Sequence, residues 1–581
     1  DGDGSLLHKK TALGHVRLSI IDLNRSANQP MLSNDSKLAL SFNGEIYNYK
    51  DLKQELKDYD FKTNSDSEII LAAYEKWGKD CLCKLNGMFS FVIYDKDSQI
   101  LFGARDPFGV KPFYYCKTNE FFAFSSEIKG LLSTNKISAK LNEGVFYDFI
   151  AFNRTDHLEE SCFKGVNNLR PGHCFKLNVE KNEIKFKKWY CGSSYDLSNK
   201  PYGEIRNSLK KKLIKATKLH LVSDVEVGSA LSGGIDSSSI VGLVRSIEEN
   251  KRINIFSAVY DQSWEKDEKI YIDKVVKEKN LDANFVRPNV EGLLMDLESL
   301  IYQQEEPVST ASVFAAWSVC KEAKSNKIKV LLNGQGADEI FGYDYMAAYY
   351  FKELLYSFKW WVLFREIYFF IKKQSSVNFT LKLFVFLLMP KIVKNRLLSF
   401  SNSIINIDFF QKYNAESKFN SEFFNVNNLN ASARKHLEMK LHHLLRFEDK
   451  NSMMFGVETR IPFLEKDLVD FVLNIPSKFK IIDGSIKHIL KDATKDFIPK
   501  MIYDRNNKIG YETPMGKWMR SEVFQQEIDV MLSDSFQPMK KYLNINYIKR
   551  VWKKHKFKKG DFSPEIWKYF YLTKWYNIYF K

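Results

Sequence analysis

A glycine-rich turn between an apolar strand and a helix constrains the fold of this chain most strongly. The turn, Leu231–Ser238, follows the apolar segment Val225–Ala230 and precedes a helical run over Ile240–Ile247. Its two adjacent glycines let the backbone approach a polyphosphate, and the N–H groups of a helix start attract anions. The turn lacks the Gly-Lys-Ser/Thr ending of a P-loop and carries Asp236, which suits a magnesium ligand. The pattern predicts a nucleotide site different from that of P-loop kinases.

A second polar turn, Asn333–Glu339, follows a strand predicted over Lys329–Leu332. Ligands of open α/β sheets bind at the carboxyl ends of the strands. We therefore expect both turns to face one crevice. Asp236 and Asp338 would share a Mg²⁺ ion there that neutralises a triphosphate.

The strand and helix patterns divide the chain into two parts. Aromatic or β-branched strands are predicted in the first part over 37–42, 89–94, 99–104, 112–116 and 121–124, with helices over 49–57 and 67–77. In the second part, a helix over 205–219 and strands over 226–231, 253–260 and 329–332 alternate as in a doubly wound α/β sheet, and the chain is mostly helical from about residue 343. We predict a front domain over 1–190, a linker over 191–204 and a rear domain over 205–581.

Composition excludes several classes of protein. With 44% hydrophobic and 27% charged residues the chain is globular. Its net charge of +16 comes from lysines spread along the chain without interleaved aromatics, so we expect no nucleic-acid partner. The most apolar region, Trp360–Met389, is interrupted by charges. It predicts a pair of amphipathic helices and no membrane span, with attachment to a membrane surface as the alternative.

The seven cysteines have no zinc-site or disulfide spacing. We interpret them as free thiols of a cytoplasmic protein.

The two glycine-rich turns together resemble the ATP-pyrophosphatase domain of glutamine-dependent asparagine synthetases. The resemblance rests on Ser232–Ser237 and Gly334–Glu339. It implies that a carboxylate attacks the α-phosphate of ATP, which releases pyrophosphate and forms an acyl-adenylate. By position, it assigns ATP binding to Leu231, Ser232, Gly233, Gly234, Asp236, Ser237, Ala258, Asn333 and Gly334.

Further downstream, Leu445–Met453 and Val457–Leu464 resemble the family's long helix and the turn after it. Lys487 matches a lysine that faces the adenylate site, where a cation neutralises developing phosphate charge. Gln335 stands where many members have a glutamate that assists adenylation or amide formation, and a glutamine cannot act as a base. By position in the motif, Lys487 and Gln335 are the catalytic candidates. The identity of the acceptor carboxylate stays open because of Gln335.

Four motifs of the front part resemble, in the family's order, the glutaminase domain of N-terminal-nucleophile amidotransferases, an α+β layered β-sandwich. They are Arg17–Ile21, Asn43–Asn48, Ser65–Asp66 and Arg105–Pro112. The resemblance implies that an arginine grips the α-carboxylate of glutamine, two acids face its ammonium group, and an Asn-Gly pair forms a catalytic oxyanion hole. The glutamine-binding set is Arg17, Leu18, Ser19, Ile20, Ile21, Asn43, Gly44, Glu45 and Asp66, with Asn43 and Gly44 at the oxyanion hole.

The family's nucleophile is an N-terminal cysteine, whereas this chain starts Asp1-Gly2-Asp3-Gly4. These residues match a segment several tens of residues inside the family's start, so we expect the sequence to be incomplete there, with a natural ammonia-only enzyme as the alternative. None of the seven cysteines is assigned as the nucleophile. As it stands, the chain is not expected to hydrolyse glutamine.

The predicted function is that of a two-domain amidotransferase. Ammonia from glutamine would cross an interdomain channel, sheltered from water, to β-aspartyl-AMP and give asparagine, AMP and pyrophosphate. The expected ligands are glutamine, aspartate, ATP and Mg²⁺, and a homodimer is compatible with this assignment. Three alternatives stay open: another acceptor such as a uronic acid sugar, an RNA-modifying enzyme, and a non-catalytic binding module.

Overall fold

The front part of the chain is a layered arrangement of antiparallel sheets and helices. The computed structural model describes residues 1–261, 264, 266–374, 377–390, 393–394, 403–505, 512–535 and 538–581. The strands of the front part are β1 Gly2–His8, β2 Thr11–Arg17, β3 Met31–Leu32, β4 Leu38–Ile46, β5 Gly87–Asp95, β6 Ile100–Arg105, β7 Tyr114–Lys117, β8 Phe122–Ser125, β9 Asn167–Asn168, β10 His173–Asn178 and β11 Glu183–Lys188. Its helices are α1 Tyr49–Glu55, α2 Asp66–Trp77, α3 Cys81–Lys84, α4 Ile128–Leu132 and α5 Glu143–Phe152.

The main front sheet has the order β11-β10-β6-β5-β4-β3, and every neighbouring pair is antiparallel. Its inner strand β5 carries the continuous apolar and aromatic run Phe91–Tyr94 because both faces of the sheet are covered. Phe91 and Ile93 pack with residues of α2, whereas Val92 and Tyr94 pack against β7. The five strands and two helices predicted for this part are confirmed. The hairpin β1–β2 and the strands β3, β9, β10 and β11 lie outside that prediction.

The rear part contains a parallel sheet with the order β14-β13-β12-β15-β16. Its strands are β12 Val227–Ala230, β13 Asn254–Ala258, β14 Asp282–Val286, β15 Val330–Leu332 and β16 Glu458–Arg460. The connecting helices are α6 Tyr202–His220, α7 Ile235–Ile247, α8 Lys269–Lys279, α9 Val290–Gln304, α10 Ser312–Ser325 and α11 Ala337–Phe341. The predicted α/β alternation is confirmed, and α7 begins directly at the glycine-rich turn.

The remainder of the rear part is helical, as predicted. Its helices are α12 Ala347–Tyr356, α13 Trp360–Lys373, α14 Val377–Leu388, α15 Ile407–Tyr413, α16 Lys418–Glu422, α17 Leu429–Met439, α18 Leu441–Met454, α19 Lys466–Asn474, α20 Ser477–Lys480, α21 His488–Thr494, α22 Lys500–Tyr503, α23 Met515–Trp518, α24 Glu522–Val530, α25 Ile545–Lys556 and α26 Ser563–Phe580. The pair expected over Trp360–Met389 is α13 and α14. Of the helices that the structure describes, none combines the length and the apolar character needed to cross a membrane.

The segment Val457–Leu464, predicted as a turn, is one only in its second half: Glu458–Arg460 form β16, and Pro462–Leu464 form a 3-10 turn. The β16 residues Glu458, Thr459 and Arg460 are polar but buried. They can be buried at the edge of the parallel sheet because Glu458 and Arg460 pair with each other and with charged side chains of the front part. The Arg460 guanidinium donates to Glu458 Oε1 at 2.8 Å and lies 3.5 Å from Glu45 Oε2 of β4. The two parts of the chain are therefore joined by buried ions.

Replacing this arginine by an apolar side chain should destabilise the protein strongly. In Arg460→Met, Glu45 loses its buried cation and Glu458 loses the nearer of its two, which costs about 3–5 kcal/mol of unfolding free energy. The matched control is Arg252→Met, since Arg252 pairs with Asp282 at 2.6 Å on the exposed surface and should cost about 0–1 kcal/mol. Urea unfolding followed by circular dichroism measures both. Equal losses in the two variants would contradict the proposed linkage.

Candidate active site

The two predicted turns meet at the carboxyl ends of β12 and β15. Gly334 approaches the first turn so closely that a Cβ atom there would lie 2.8 Å from the Ser237 nitrogen, so this position requires glycine. Lys487 Nζ lies 2.5 Å from Asp236 Oδ1 and 2.7 Å from Asp338 Oδ1. One lysine therefore bridges the acids of both turns.

Lys487 owes its position to an irregular backbone segment. It has the left-handed conformation, with φ +55°, immediately before α21, and its side chain is buried. A lysine is rarely buried unless it is paired, and two carboxylates pair this one. This arrangement presents a fixed cation at the strand ends, where phosphate charge would develop.

A cavity of about 490 Å³, here called the rear pocket, opens at these strand ends. The predicted residues that line it are Leu231, Ser232, Gly234, Asp236, Ser237, Asn333, Gly334, Gln335 and Asp338. Its volume lies within the usual range for small-molecule sites, which is about 300–1,000 Å³. Of the other predicted ATP contacts, Gly233 accepts a hydrogen bond from Arg505 through its carbonyl oxygen, and Ala258 ends β13. Neither is among the residues that line the pocket.

Glu448 of α18 also lines the rear pocket, and sequence reasoning did not assign it a role. Burial raises the pKa of Glu448 to about 7, and a hydrogen bond from the Asn333 side chain partly opposes this shift. A carboxyl group with such a pKa exchanges protons near neutral pH. The sequence did offer one indication of this role. Glu448 lies in the segment Leu445–Met453 that resembles the family's long helix, and Gln335 leaves the site without a base.

The predicted metal site consists of Asp236 and Asp338. Within the described ranges no group of three or more His, Cys, Asp or Glu residues is arranged to hold a metal ion. Mg²⁺ is usually bound by one or two protein carboxylates together with substrate phosphates. The two carboxylates that share Lys487 therefore fit a Mg²⁺ ion that arrives with a polyphosphate.

A second cavity, of about 680 Å³ and here called the front pocket, lies in the front part of the chain. The predicted glutamine-binding residues that line it are Arg17, Leu18, Ile20, Ile21, Asn43, Gly44, Glu45 and Asp66. Ser19 does not line it, and its N–H donates to the Asp1 carboxylate at 2.9 Å. None of the chain's cysteines, all of which lie in described segments, is part of the lining.

The Asn43-Gly44 pair lies inside β4 and not in a turn. Gly44 has φ +144°, and a Cβ atom there would lie 2.0 Å from the carbonyl oxygen of Met88 on β5. Only glycine fits this close approach. The Asn43 amide donates to Ser126 Oγ at 3.2 Å, so the pair presents ordered polar groups at the pocket.

Both a cationic and two acidic side chains predicted to bind glutamine line the front pocket: Arg17, Glu45 and Asp66. The Arg17 guanidinium donates to the carbonyl oxygens of Asn24 and Ile21 at 2.9 and 3.0 Å. Burial raises the pKa of Asp66 to about 7, although the Ile46 N–H donates to its carboxylate. Burial, followed by repulsion from Asp66, raises the pKa of Glu45 well above its usual value. A bound ammonium group would supply a cation for these acids.

The two pockets share α18 and β16 as a common wall. Asp449, Met453 and Glu458 line the front pocket. Their neighbours Leu444, Glu448 and Thr459 line the rear pocket. Successive strand residues point to opposite faces, so β16 serves both pockets with adjacent residues. Lys111 of the front part reaches this wall, with Nζ 3.1 Å from Asp449 Oδ1 and 3.8 Å from Glu458 Oε2.

Comparison with known families assigns one family domain to the front part of the chain and another to the rear part. The family model described as Asparagine synthase matches residues 208–577, and the one described as Glutamine amidotransferase domain matches residues 1–190. The chain belongs to the asparagine synthase family. It is similar to asparagine synthetase [glutamine-hydrolyzing] 1 of Bacillus subtilis, with 27% identity over 100% of this chain and 91% of the relative.

Two further relatives match a smaller share of this chain. A putative asparagine synthetase [glutamine-hydrolyzing] 2 of Methanocaldococcus jannaschii is 36% identical over 57% of this chain and 66% of its own length. Amidase chry2 of Gibberella zeae is 26% identical over 87% of this chain and 81% of its own length. Relatives of this chain therefore carry more than one functional name.

Proposed function

We propose that this chain amidates aspartate to asparagine at the expense of ATP, with nitrogen derived from glutamine. The front domain, residues 1–190, would bind glutamine, and the rear domain, residues 205–581, would bind ATP and aspartate, with 191–204 as the linker. The observation that carries this proposal is the common wall of α18 and β16, because it brings a glutamine-type pocket next to a nucleotide-type pocket. Ammonia would pass along this wall without entering bulk water.

The first step is activation of the acceptor. A carboxylate oxygen of aspartate attacks the α-phosphorus of ATP, pyrophosphate leaves, and the acyl-adenylate forms. Ser232, Gly234, Ser237 and Gly334 would surround the phosphates. Lys487 would offset the charge that develops on them. When bound, Mg²⁺ held by Asp236 and Asp338 would neutralise part of the triphosphate charge.

The second step is amide formation. The nitrogen of ammonia attacks the acyl carbon, the nitrogen loses a proton, and AMP leaves with the bonding electrons of the acyl–oxygen bond. Gln335 lines the rear pocket but has no basic lone pair for this proton. We propose that Glu448 accepts it, since its carboxylate lies in the same pocket beside Asn333.

Glutamine would be held in the front pocket by groups of opposite charge. Arg17 would bind the α-carboxylate, Asp66 and Glu45 would face the ammonium group, and Asn43 with the Gly44 N–H would stabilise an oxyanion. Glu45 also contacts Arg460, so of the two acids Asp66 is the main candidate for the ammonium contact.

Removing the Arg17 side chain should weaken glutamine binding selectively. Loss of a charge-assisted pair costs about 1.5–3 kcal/mol, so Arg17→Ala should raise the glutamine dissociation constant about tenfold to a hundredfold. Isothermal titration calorimetry measures this affinity directly, without turnover of glutamine. Arg25→Ala is the control, because Arg25 is exposed in the same segment. Unchanged affinity in Arg17→Ala would reject the assignment of this pocket.

ATP–pyrophosphate exchange and ammonia-dependent amide synthesis test the proposed reaction. Aspartate should stimulate the exchange of labelled pyrophosphate into ATP, and ammonium salts should then yield asparagine and AMP. Absence of exchange with every carboxylate would reject an adenylating enzyme. Exchange with another acid but not with aspartate would reject only the acceptor.

A uronic acid sugar or another carboxylate is the second candidate acceptor. Gln335 departs from the residue that many family members carry, and Tyr343, Tyr345 and Phe379 add aromatic walls to the rear pocket. The similarity to a protein named amidase chry2 is compatible with such an acceptor. The same exchange assay, run with galacturonate and glucuronate, distinguishes the two candidates.

We also propose a reducing compartment, the cytoplasm, because all seven cysteines are free and five of them are buried. The homodimer stays a prediction.

A further inference from the structure

The outward face of α13 exposes a row of large apolar side chains. Trp361 is 89% exposed, Phe364 and Tyr368 are each 61% exposed, and Ile371 is 51% exposed. Their spacing of three or four residues places them along one side of the helix. The other side packs onto the protein through Leu363, Glu366 and Phe370, which are buried. The exposed row therefore belongs to a helix whose other side is packed onto the protein.

The same region is strongly basic. Residues 358–394 contain seven Lys or Arg residues and one acid, Glu366. Glu366 is buried and accepts a hydrogen bond from the Gly484 N–H at 2.9 Å, so it does not reach the exposed face. Arg365 pairs with Asp483 at 2.9 Å. Lys359 and Lys372 are exposed at the two ends of the row.

We propose that the outward face of α13, defined by Trp361, Phe364, Tyr368 and Ile371, docks on an anionic membrane surface with the helix lying in the plane of the interface. Apolar and aromatic residues flanked by lysines are the composition of interfacial helices, and basic residues are attracted by acidic headgroups. Trp and Tyr favour the headgroup level because their rings are amphipathic.

Charge argues against a second copy of the chain as the occupant. A two-fold dimer through this face would bring the same basic patch against itself, and lysines are depleted at the cores of protein interfaces. Phe379 lies on α14, which follows α13, and it lines the rear pocket with its ring 5.8 Å from that of Tyr345. A membrane-docked chain would thus keep α14, which carries Phe379 of the rear-pocket lining, close to the lipid surface.

Vesicle co-sedimentation tests the proposal. The chain should sediment with vesicles of equal parts phosphatidylcholine and phosphatidylglycerol at low salt, bind less at high salt, and not bind phosphatidylcholine alone. Burying two large apolar side chains contributes enough that Trp361→Ser/Phe364→Ser should lower the partition coefficient at least about tenfold. The control is Met295→Ser, since Met295 is 83% exposed on α9, outside the basic segment 358–394.

The outcomes are distinct. Binding that is lost in the double variant but kept in the control, with unchanged circular dichroism and exchange activity, supports the proposal. No binding to the acidic vesicles at low salt overturns it. A wild-type dimer that the double variant converts to a monomer also overturns it, because the face would then be occupied by a second copy.

Discussion

Lys487→Met is expected to lower ATP–pyrophosphate exchange by about a hundredfold to a thousandfold. Loss of one fixed group that stabilises transition-state charge typically has an effect of this size. Lys487 is held between Asp236 and Asp338, so its ammonium group is already oriented when the phosphates arrive. The methionine has a similar length and no charge, and the variant therefore tests the cation. Exchange of labelled pyrophosphate into ATP with aspartate is the measurement.

Two controls separate chemistry from folding. Lys478→Met removes an exposed lysine from the nearby helix α20 and should leave the exchange unchanged. Thermal unfolding of Lys487→Met shows whether the loss of the bridge between the two acids unfolds the site. If the folded variant keeps exchange within about threefold of wild type, Lys487 does not stabilise the adenylation step.

The sequence predicted those parts of the fold whose residues carry their own local signal. The core of β5 could be recognised because its run of apolar residues packs on both faces. The turn before α7 could be recognised because adjacent glycines between a strand and a helix have few other uses. The helices α13 and α14 followed from amphipathic spacing, although that spacing did not reveal how exposed Trp361 would be.

The features that escaped prediction depend on partners distant in the chain. β16 is polar, and it became a buried strand because Arg460 meets Glu45 from the front part. The close approach of β5 to Gly44 leaves no room for a Cβ atom, and it depends on strand pairing that the sequence of β4 alone does not show. The Glu448 side chain belongs to α18, whose orientation depends on packing against α9, α10 and β16. Local patterns contain no information about such contacts.

Glu448→Gln is expected to slow ammonia-dependent amide formation by about a hundredfold or more while ATP–pyrophosphate exchange continues. A positioned base typically contributes about 10²–10⁴-fold to a proton transfer. Glutamine keeps the size of the side chain and cannot accept a proton. The two assays separate the steps, because exchange requires only adenylation and asparagine formation requires the proton to leave the nitrogen.

The assignment of Glu448 as the base predicts the direction in which the rate changes with pH. Since burial raises the pKa of Glu448 to about 7, its carboxyl group is protonated and inactive as a base below that pH. The wild-type rate per unit of free NH₃ should therefore rise as pH increases through about 7 and then level. Glu448→Gln should lose this rise, and Gln335→Glu added to it should recover part of the rate, because both side chains line the same pocket. A Glu448→Gln variant with the wild-type pH profile would mean that another group removes the proton.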